Sequence, residues 1–329
     1  MKKGYLYIAL TTLIFSTMEI AIKLCAGQFH PIQMTFTRFF VGGLVLIPFA
    51  VSALKKKKTA IPFKDLGTFA LLGFIGVLVS MSLYQMSVES TPASVVAVLF
   101  SSNPVFVTIF AFILLREPIH KNNVAALILE VLGILVIINP LHTKLSVSGV
   151  VLAVASTLFF ALYGVAGKRK CAQYGGVVVT CLSFLFGGLE MLIMIGFSHI
   201  PVISSSLSSA GMGLFSSIPL FSGYSLDNLA VVAFICLINT GAGYAFYFQA
   251  MEATSAQQTS LVFFFKPIVA PVLSLIILHE TISLNMFCGI ILVLFGSLCS
   301  LLPGLLAQYR KKRFTASPVT AEIENKTFQ

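Results

Sequence analysis

Five ionisable side chains stand inside long apolar runs of this chain: Glu19, Arg38, Glu130, Glu190 and Lys266. A charge inside hydrocarbon is costly, so each needs a partner or a task. Lys266 and Arg38 are cations able to receive a carboxylate or a phosphate. Glu19 is a carboxylate whose protonation can alternate with ligand binding where burial makes its charge expensive. Each has a plainer alternative. Lys266 can be one half of a structural ion pair, with Glu19 or another buried glutamate. Glu190, just past the middle of its run, is such a partner. Glu19 and Arg38 fall at similar depth on consecutive antiparallel segments, so a salt bridge between these two is the expected arrangement. Asn103, Tyr163 and Asn239 are uncharged groups able to hydrogen-bond a ligand. Their alternative is interhelical glue, worth about 0.6 kcal/mol on average.

The elements that carry these residues follow from composition. Of 329 residues, 57% are apolar and 10% charged, and the mean hydropathy is +0.98. That places the chain among integral membrane proteins. About 20 apolar residues cross a hydrocarbon core. Ten apolar segments are predicted, at 4–24, 32–53, 65–88, 92–115, 121–139, 145–167, 177–199, 228–250, 255–278 and 283–303. The first is too long for a signal peptide and lacks a small-residue cleavage site. With no Trp, interfacial anchoring rests on Tyr, Lys and Arg. The six cysteines have no metal-ligand spacing, and a packing role is expected for them. The net charge of +10 is not read as a nucleic-acid signal, because the basic residues sit in short blocks between apolar runs. The blocks at Lys2–Lys3, Lys55–Lys58, Arg116, Lys168–Lys170 and Arg310–Arg313 fall on one side if there are ten spans. The positive-inside rule then puts both termini in the cytoplasm of a multi-pass protein of the inner (plasma) membrane. Lys23 and Lys144 are exceptions.

The chain repeats itself. Tyr84, Glu89, Thr91, Pro104, Glu117 and Gly133 recur 163 residues later as Tyr247, Glu252, Thr254, Pro267, Glu280 and Gly296. Gly4, Thr12, Lys23, Gly42 and Gly43 recur 145 residues later as Gly149, Thr157, Lys168, Gly187 and Gly188. The difference is taken up by a Ser- and Gly-rich stretch, 200–227, expected to be an external loop. Five spans per half reverse the orientation of the second half. The expected fold is therefore an all-α integral membrane protein of ten transmembrane helices in two inverted-topology repeats, 1–140 and 141–305, with a basic, disordered cytoplasmic tail at 306–329. Inverted repeats of this kind point to a transporter with its site between the halves.

Lys266 and its counterpart Asn103 lie near the midplane, Lys266 roughly 17 Å from the cytoplasmic end of its span. Pro104 and Pro267 follow them. Each proline frees the carbonyl one turn back, at Phe100 and Phe263, so a broken helix is expected at both places. Glu117 and Glu280 close the repeats and are placed to cap the helices that follow, at spans 5 and 10. The rings at Phe263–Phe265 are expected to face lipid or core. No two glycines have GxxxG spacing, so a homodimer, though possible, has no motif behind it. No nucleotide loop, HExxH or Ser/His/Asp set appears, so no enzyme activity and no cofactor are expected.

The segments 104–119 (PVFVTIFAFILLREPI) and 267–282 (PIVAPVLSLIILHETI), with Thr37-Arg38-Phe39, resemble the signature of the drug/metabolite transporter superfamily, EamA type. The resemblance covers spans 1 to 10. It implies two inverted five-helix halves, a central cavity lined by spans 1–4 and 6–9, and secondary transport of small metabolites, often export of amino acids. It also puts Glu130 outside the cavity, in a packing or interface role. The resulting expectation is a permease that moves amino acids or related carboxylates by alternating access in the lipid bilayer. Lys266 and Arg38 would contact the anion, Glu19 would carry the proton, and Asn103, Tyr163 and Asn239 would line the path. Efflux of drugs or cationic compounds is the alternative within transport. A non-transporting membrane scaffold or sensor is the alternative outside it.

Overall fold

The structure is a computed structural model, and it describes residues 2–116, 121–138, 146–254, 259, 261–296 and 298–299. No strand occurs among the described residues. In chain order the helices are α1 (Lys2–Ser16), α2 (Met18–Leu24), α3 (Pro31–Lys57), α4 (Phe63–Ser90), α5 (Ala93–Phe100), α6 (Asn103–Leu115) and α7 (Lys121–Ile138). They continue with α8 (Val147–Tyr174), α9 (Gly176–Ser198), α10 (Pro201–Ser209), α11 (Leu226–Ala253), α12 (Leu261–Ile277) and α13 (Leu284–Gly296). Among the described residues seven helical stretches are long and apolar enough to cross a membrane: α1 with α2, α3, α4, α5 with α6, α8, α9 and α11. Three shorter apolar helices overlap the remaining predicted segments, at Val124–Ile137, Phe265–Ile277 and Leu284–Gly296. The tail from residue 301, and Glu117 with it, lies outside the described residues.

Capping explains several ends. The Ser146 hydroxyl accepts from the Gly149 amide at the start of α8. Ser225 and Asn228 form a reciprocal capping box at the start of α11. Lys58 closes α3 in a left-handed conformation, φ 51°.

Among the described residues four membrane helices are irregular. The first span breaks at Thr17, whose hydroxyl and amide both bond Ile14 O, at 2.7 and 3.1 Å. The fourth breaks at Ser101 and Ser102. Their hydroxyls bond back to Ala97 O and Leu99 O, both at 2.7 Å, and Asn103-Pro104 begins a new helix. The ninth does not break: α12 runs helically through Pro267 and Pro271. The expected discontinuity is therefore present in the first repeat and absent from the second. Wide π-type turns also interrupt α4 at Phe74–Met81 and α11 at Phe234–Ala242. Such turns recur at functional sites, and no sequence signal announced them.

Equivalent residues make equivalent contacts. Gly149 packs against Thr91 as its counterpart Gly4 packs against Thr254. Gly187 packs against Gly73 and Val77, as Gly42 packs against Cys236 and Thr240, their counterparts. Counterparts also meet each other. The rings of Phe100 and Phe263 lie 6.0 Å apart, and the Tyr244 hydroxyl bonds Met81 Sδ at 2.9 Å.

Stretch 200–227 carries the helix α10. After α10 it folds back, burying Ile218 in the main core. Gln33 Nε2 donates to Leu220 O and Ser222 O, at 3.2 and 2.8 Å, and Thr37 and Tyr224 share a hydrogen bond of 2.5 Å.

Candidate functional site

The buried charges meet where α2, α3, α4, α5 and α12 converge. Lys266 Nζ pairs with Glu19 Oε1, and both side chains are buried. Glu19 sits in the first turn of α2, just after the break at Thr17. A negative charge is favoured there by the exposed end of the helix. Lys266 also faces the rings of Phe100, 5.0 Å from the centroid, and Tyr84, at 5.8 Å. Cation–π attraction adds to the pairing.

Arg38 does not pair with Glu19 as expected. Its guanidinium is fully buried and lies 4.7 Å from the Phe39 centroid and 5.8 Å from that of Tyr84. Nη1 reaches Met18 Sδ at 3.6 Å, while Nε and Nη2 have no hydrogen-bond partner among the described residues. The reason is competition. Lys266 arrives from α12 and takes the carboxylate, leaving Arg38 with aromatic faces. Glu19 Oε2 and the Tyr84 hydroxyl are likewise buried without a hydrogen bond among the described residues.

The uncharged candidates divide. The Tyr163 hydroxyl shares a 2.8 Å hydrogen bond with Ser183 Oγ. Asn103 Nδ2 reaches Thr157 O at 3.4 Å, with Oδ1 free among the described residues. Asn239 donates to Ile14 O at 2.8 Å and Thr17 Oγ1 at 3.0 Å, so it holds the break in the first span. Its Oδ1 too is buried without a partner among the described residues. Glu190 Oε2 is buried without a hydrogen-bond partner among the described residues, and Lys266 pairs with Glu19 instead. The Glu130 side chain lies outside the described residues.

Phe263 is buried in the main core and Phe265 is exposed, as expected from the sequence, and within that core Phe263 belongs to a continuous ring system beside the charges. From Tyr84 it runs to Phe100 (5.0 Å), then to Phe160 (5.2 Å), and from Phe160 to Tyr247 (5.8 Å) and Tyr163 (6.0 Å). Repeat spacing would have found it, since Tyr84 and Phe100 have Tyr247 and Phe263 as counterparts.

Polar ties close both ends of the bundle around this centre. At one end Lys57 pairs with Glu252 at 2.6 Å, and Glu252 Oε2 accepts from the Gly176 amide at 2.9 Å. Lys170 pairs with Asp65 at 2.7 Å, and Tyr174 donates to Asp65 Oδ2 at 2.5 Å. At the other end Lys23 donates to Val88 O (3.0 Å), Glu89 O (3.4 Å) and Thr91 O (3.2 Å). There Glu280 departs from expectation. Rather than capping the helix that follows it, its carboxylate accepts from the Ala93 and Ser94 amides, at 2.8 and 3.1 Å, and from the Ser94 and Ser274 hydroxyls, both at 2.6 Å. It thus caps α5, in the other repeat. The α5 amides are exposed donors with no intrahelical partner, and a carboxylate satisfies them best. Burial pushes the Glu280 carboxyl up, but the bonds from Ser274, Ser94 and the two amides outweigh burial and hold it below the ordinary glutamate value. This contribution is full above the unfolded glutamate pKa and is lost as pH falls through the lower folded one. Glu280→Gln is expected to cost about 1 kcal/mol at neutral pH. It should also flatten the acid limb of a detergent-solubilised unfolding curve measured against pH.

Comparison with known proteins gives this arrangement a setting. The family model described as "EamA-like transporter family" matches residues 2–139 and 147–302. An uncharacterized transporter of Clostridium kluyveri is 35% identical over 306 residues, 91% of this chain and 93% of that protein. An uncharacterized transporter of Archaeoglobus fulgidus is 27% identical over 294 residues, 89% of this chain and 97% of that one. Protein PecM of Dickeya dadantii is 25% identical over 284 residues, 86% of each chain. A solved crystal structure superposes with a TM-score of 0.62 over 92% of this chain and 98% of its own, at 18% identity, a likeness of fold.

Proposed function

The chain belongs to the EamA-like transporter family, and on that premise we propose that it is a secondary active transporter of small polar metabolites, amino acids or related carboxylates, working in the export direction. The observation that carries this reading is Arg38, a fully buried cation with two nitrogens free among the described residues, beside a buried ion pair. An unsatisfied buried cation is costly in a resting protein. A visiting anion removes that cost. Arg38 then holds the anion with Lys266 beside it, while Glu19, paired with Lys266, is the exchangeable carboxylate that carries the proton in the transport cycle. Asn103, Tyr163 and Asn239 supply uncharged hydrogen bonds.

The reciprocal contacts of Gly4 with Thr254 and Gly149 with Thr91 support two inverted units, 1–140 and 141–305. Those units rock about the shared centre. The Lys57–Glu252 and Lys170–Asp65 pairs at one end, and the Glu280 cap at the other, join the two units and open in turn. The membrane is the inner (plasma) membrane of the cell, with both termini cytoplasmic.

Flux in proteoliposomes tests this. A panel of amino acids, organic acids, nucleosides and cationic drugs is offered with and without an imposed proton gradient. Saturable, gradient-dependent movement of carboxylates is the expected result. Movement of cations alone replaces this reading with drug efflux, and no movement of any solute replaces it with a scaffold or sensor.

A further inference from the structure

The repeat offsets give every residue of the charged cluster a counterpart. Glu19 corresponds to Gly164, Arg38 to Ser183, Tyr84 to Tyr247 and Lys266 to Asn103. The contacts correspond too. Arg38 touches Met18, and Ser183 touches Tyr163, the counterpart of Met18. The molecule therefore holds two related sub-sites. One contains a carboxylate and two cations; the other has no charge at these four positions.

Space differs between them as well. A Cβ on Gly164 would meet only the Tyr247 hydroxyl within 4 Å, at 3.7 Å, an ordinary van der Waals contact, so the position that carries the Glu19 side chain in one sub-site carries none in the other and has room for a methyl. Phe160 lies one turn from Gly164 on α8 and touches Phe100, Tyr247 and Phe263. Rings thus run from Tyr84 to the neighbourhood of Gly164. The charges also count. Among the described residues Glu19 is the one carboxylate in this cluster, and it is paired with Lys266. Glu19 and Lys266 cancel, leaving one uncompensated positive charge.

We propose that the substrate is a monoanion with a neutral apolar body: its carboxylate neutralises Arg38, and its body lies against Phe100 and Phe263 towards Gly164. A single carboxylate brings this cluster to neutrality. A zwitterion leaves the positive charge standing, and a dianion overshoots it. The apolar path gives the body dispersion contacts and no hydrogen-bond obligation. The assignment rests on the transporter reading and narrows it.

The test uses four solutes with one body: 3-phenylpropionate (monoanion), phenylalanine (zwitterion), benzylmalonate (dianion) and phenethylamine (cation). Uptake is measured in proteoliposomes of the full chain, alongside thermal shift in detergent. 3-Phenylpropionate is expected to move and to stabilise at least tenfold more effectively than the other three. Arg38→Gln should remove this preference. Gly164→Ala, whose Cβ has room, should fold normally, and Gly164→Leu should reject 3-phenylpropionate more than tenfold while still moving propionate. Phenylalanine or benzylmalonate moving as well as 3-phenylpropionate overturns the proposal and leaves the transporter reading standing. So does unchanged 3-phenylpropionate flux in Gly164→Leu. Absence of flux for these four and for the wider panel overturns both.

Discussion

Glu19→Gln lowers the unfolding free energy by about 3–5 kcal/mol, Lys266→Gln lowers it by less, and the double variant recovers most of the loss. The order follows from what each substitution leaves behind. Removing the carboxylate strands Lys266 and Arg38 as two cations in one dry cluster, with only aromatic faces to attract them. Removing the lysine strands Glu19, but Arg38 faces the same Tyr84 ring as Lys266 and has two nitrogens free among the described residues to offer it. The double variant leaves one cation and two amides able to bond each other. Coupling in the double-mutant cycle, measured by denaturant unfolding in one detergent, is expected to exceed about 1 kcal/mol. Additive single effects would falsify the pair.

Transport separates the same variants differently. In Lys266→Gln, Arg38 is drawn to Glu19 and no cation remains for the substrate, so net flux is abolished even where the protein folds. In the double variant Arg38 is free and no exchangeable carboxylate is present. That molecule should catalyse solute exchange between equal pools and show no response to a proton gradient. A gradient response in the double variant removes Glu19 from the coupling role.

The membrane helices were legible because twenty-residue apolar runs have no other use, and the repeat was legible because six identities share one offset. The interior was less so, for local reasons. Proline alone does not break a membrane helix, since one missing amide is tolerated where neighbours compensate. What breaks the fourth span is the pair of hydroxyls on Ser101 and Ser102, which recapture Ala97 O and Leu99 O. Their counterparts are Phe264 and Phe265, which carry no donor, and the ninth helix continues. The Glu19–Arg38 pairing failed because adjacency in the chain was taken for adjacency in space, while the partner came from 247 residues away. Glu280 caps a helix of the other repeat for the same kind of reason: a carboxylate beside a chain turn serves whichever helix end packs there. Arg38, Lys266 and Glu19 were nonetheless legible as a set, because hydrocarbon admits few charges and these had to gather.

Gly73→Ala is expected to be among the most damaging single-methyl changes in the chain, and Gly42→Ala among the mildest at a comparable crossing. Gly73 lies where α4 crosses α9. A Cβ there would stand 2.5 Å from the backbone nitrogen of Gly187 and 2.7 Å from Ser183 O. Both are backbone atoms of a long, packed helix, so relief requires one whole helix to shift. Overpacking of this kind costs about 1–3 kcal/mol, with more where nothing can yield, and this site belongs at the upper end. Gly42 lies at the corresponding crossing of α3 and α11. Its Cβ would meet Cys236 O at 3.3 Å, and the Gly241 nitrogen and Thr240 Cγ2 at 3.4 Å. A shift of a few tenths of an ångström accommodates that, and alanine recovers about 0.5–1 kcal/mol of helix propensity lost at glycine. The two crossings are equivalent in the repeat, yet the first is closed to a methyl and the second is not. Because Gly73 sits one residue before the π-type turn at Phe74–Met81, displacing α4 also displaces Val77, Met81 and Tyr84, and with Tyr84 the ring against which Arg38 and Lys266 are held. Gly73→Ala should therefore lose flux as well as stability, while Gly42→Ala keeps both within about twofold. Thermal unfolding in detergent and proteoliposome flux on the two variants decide it, and equal behaviour of the pair refutes the close approach of α4 to α9.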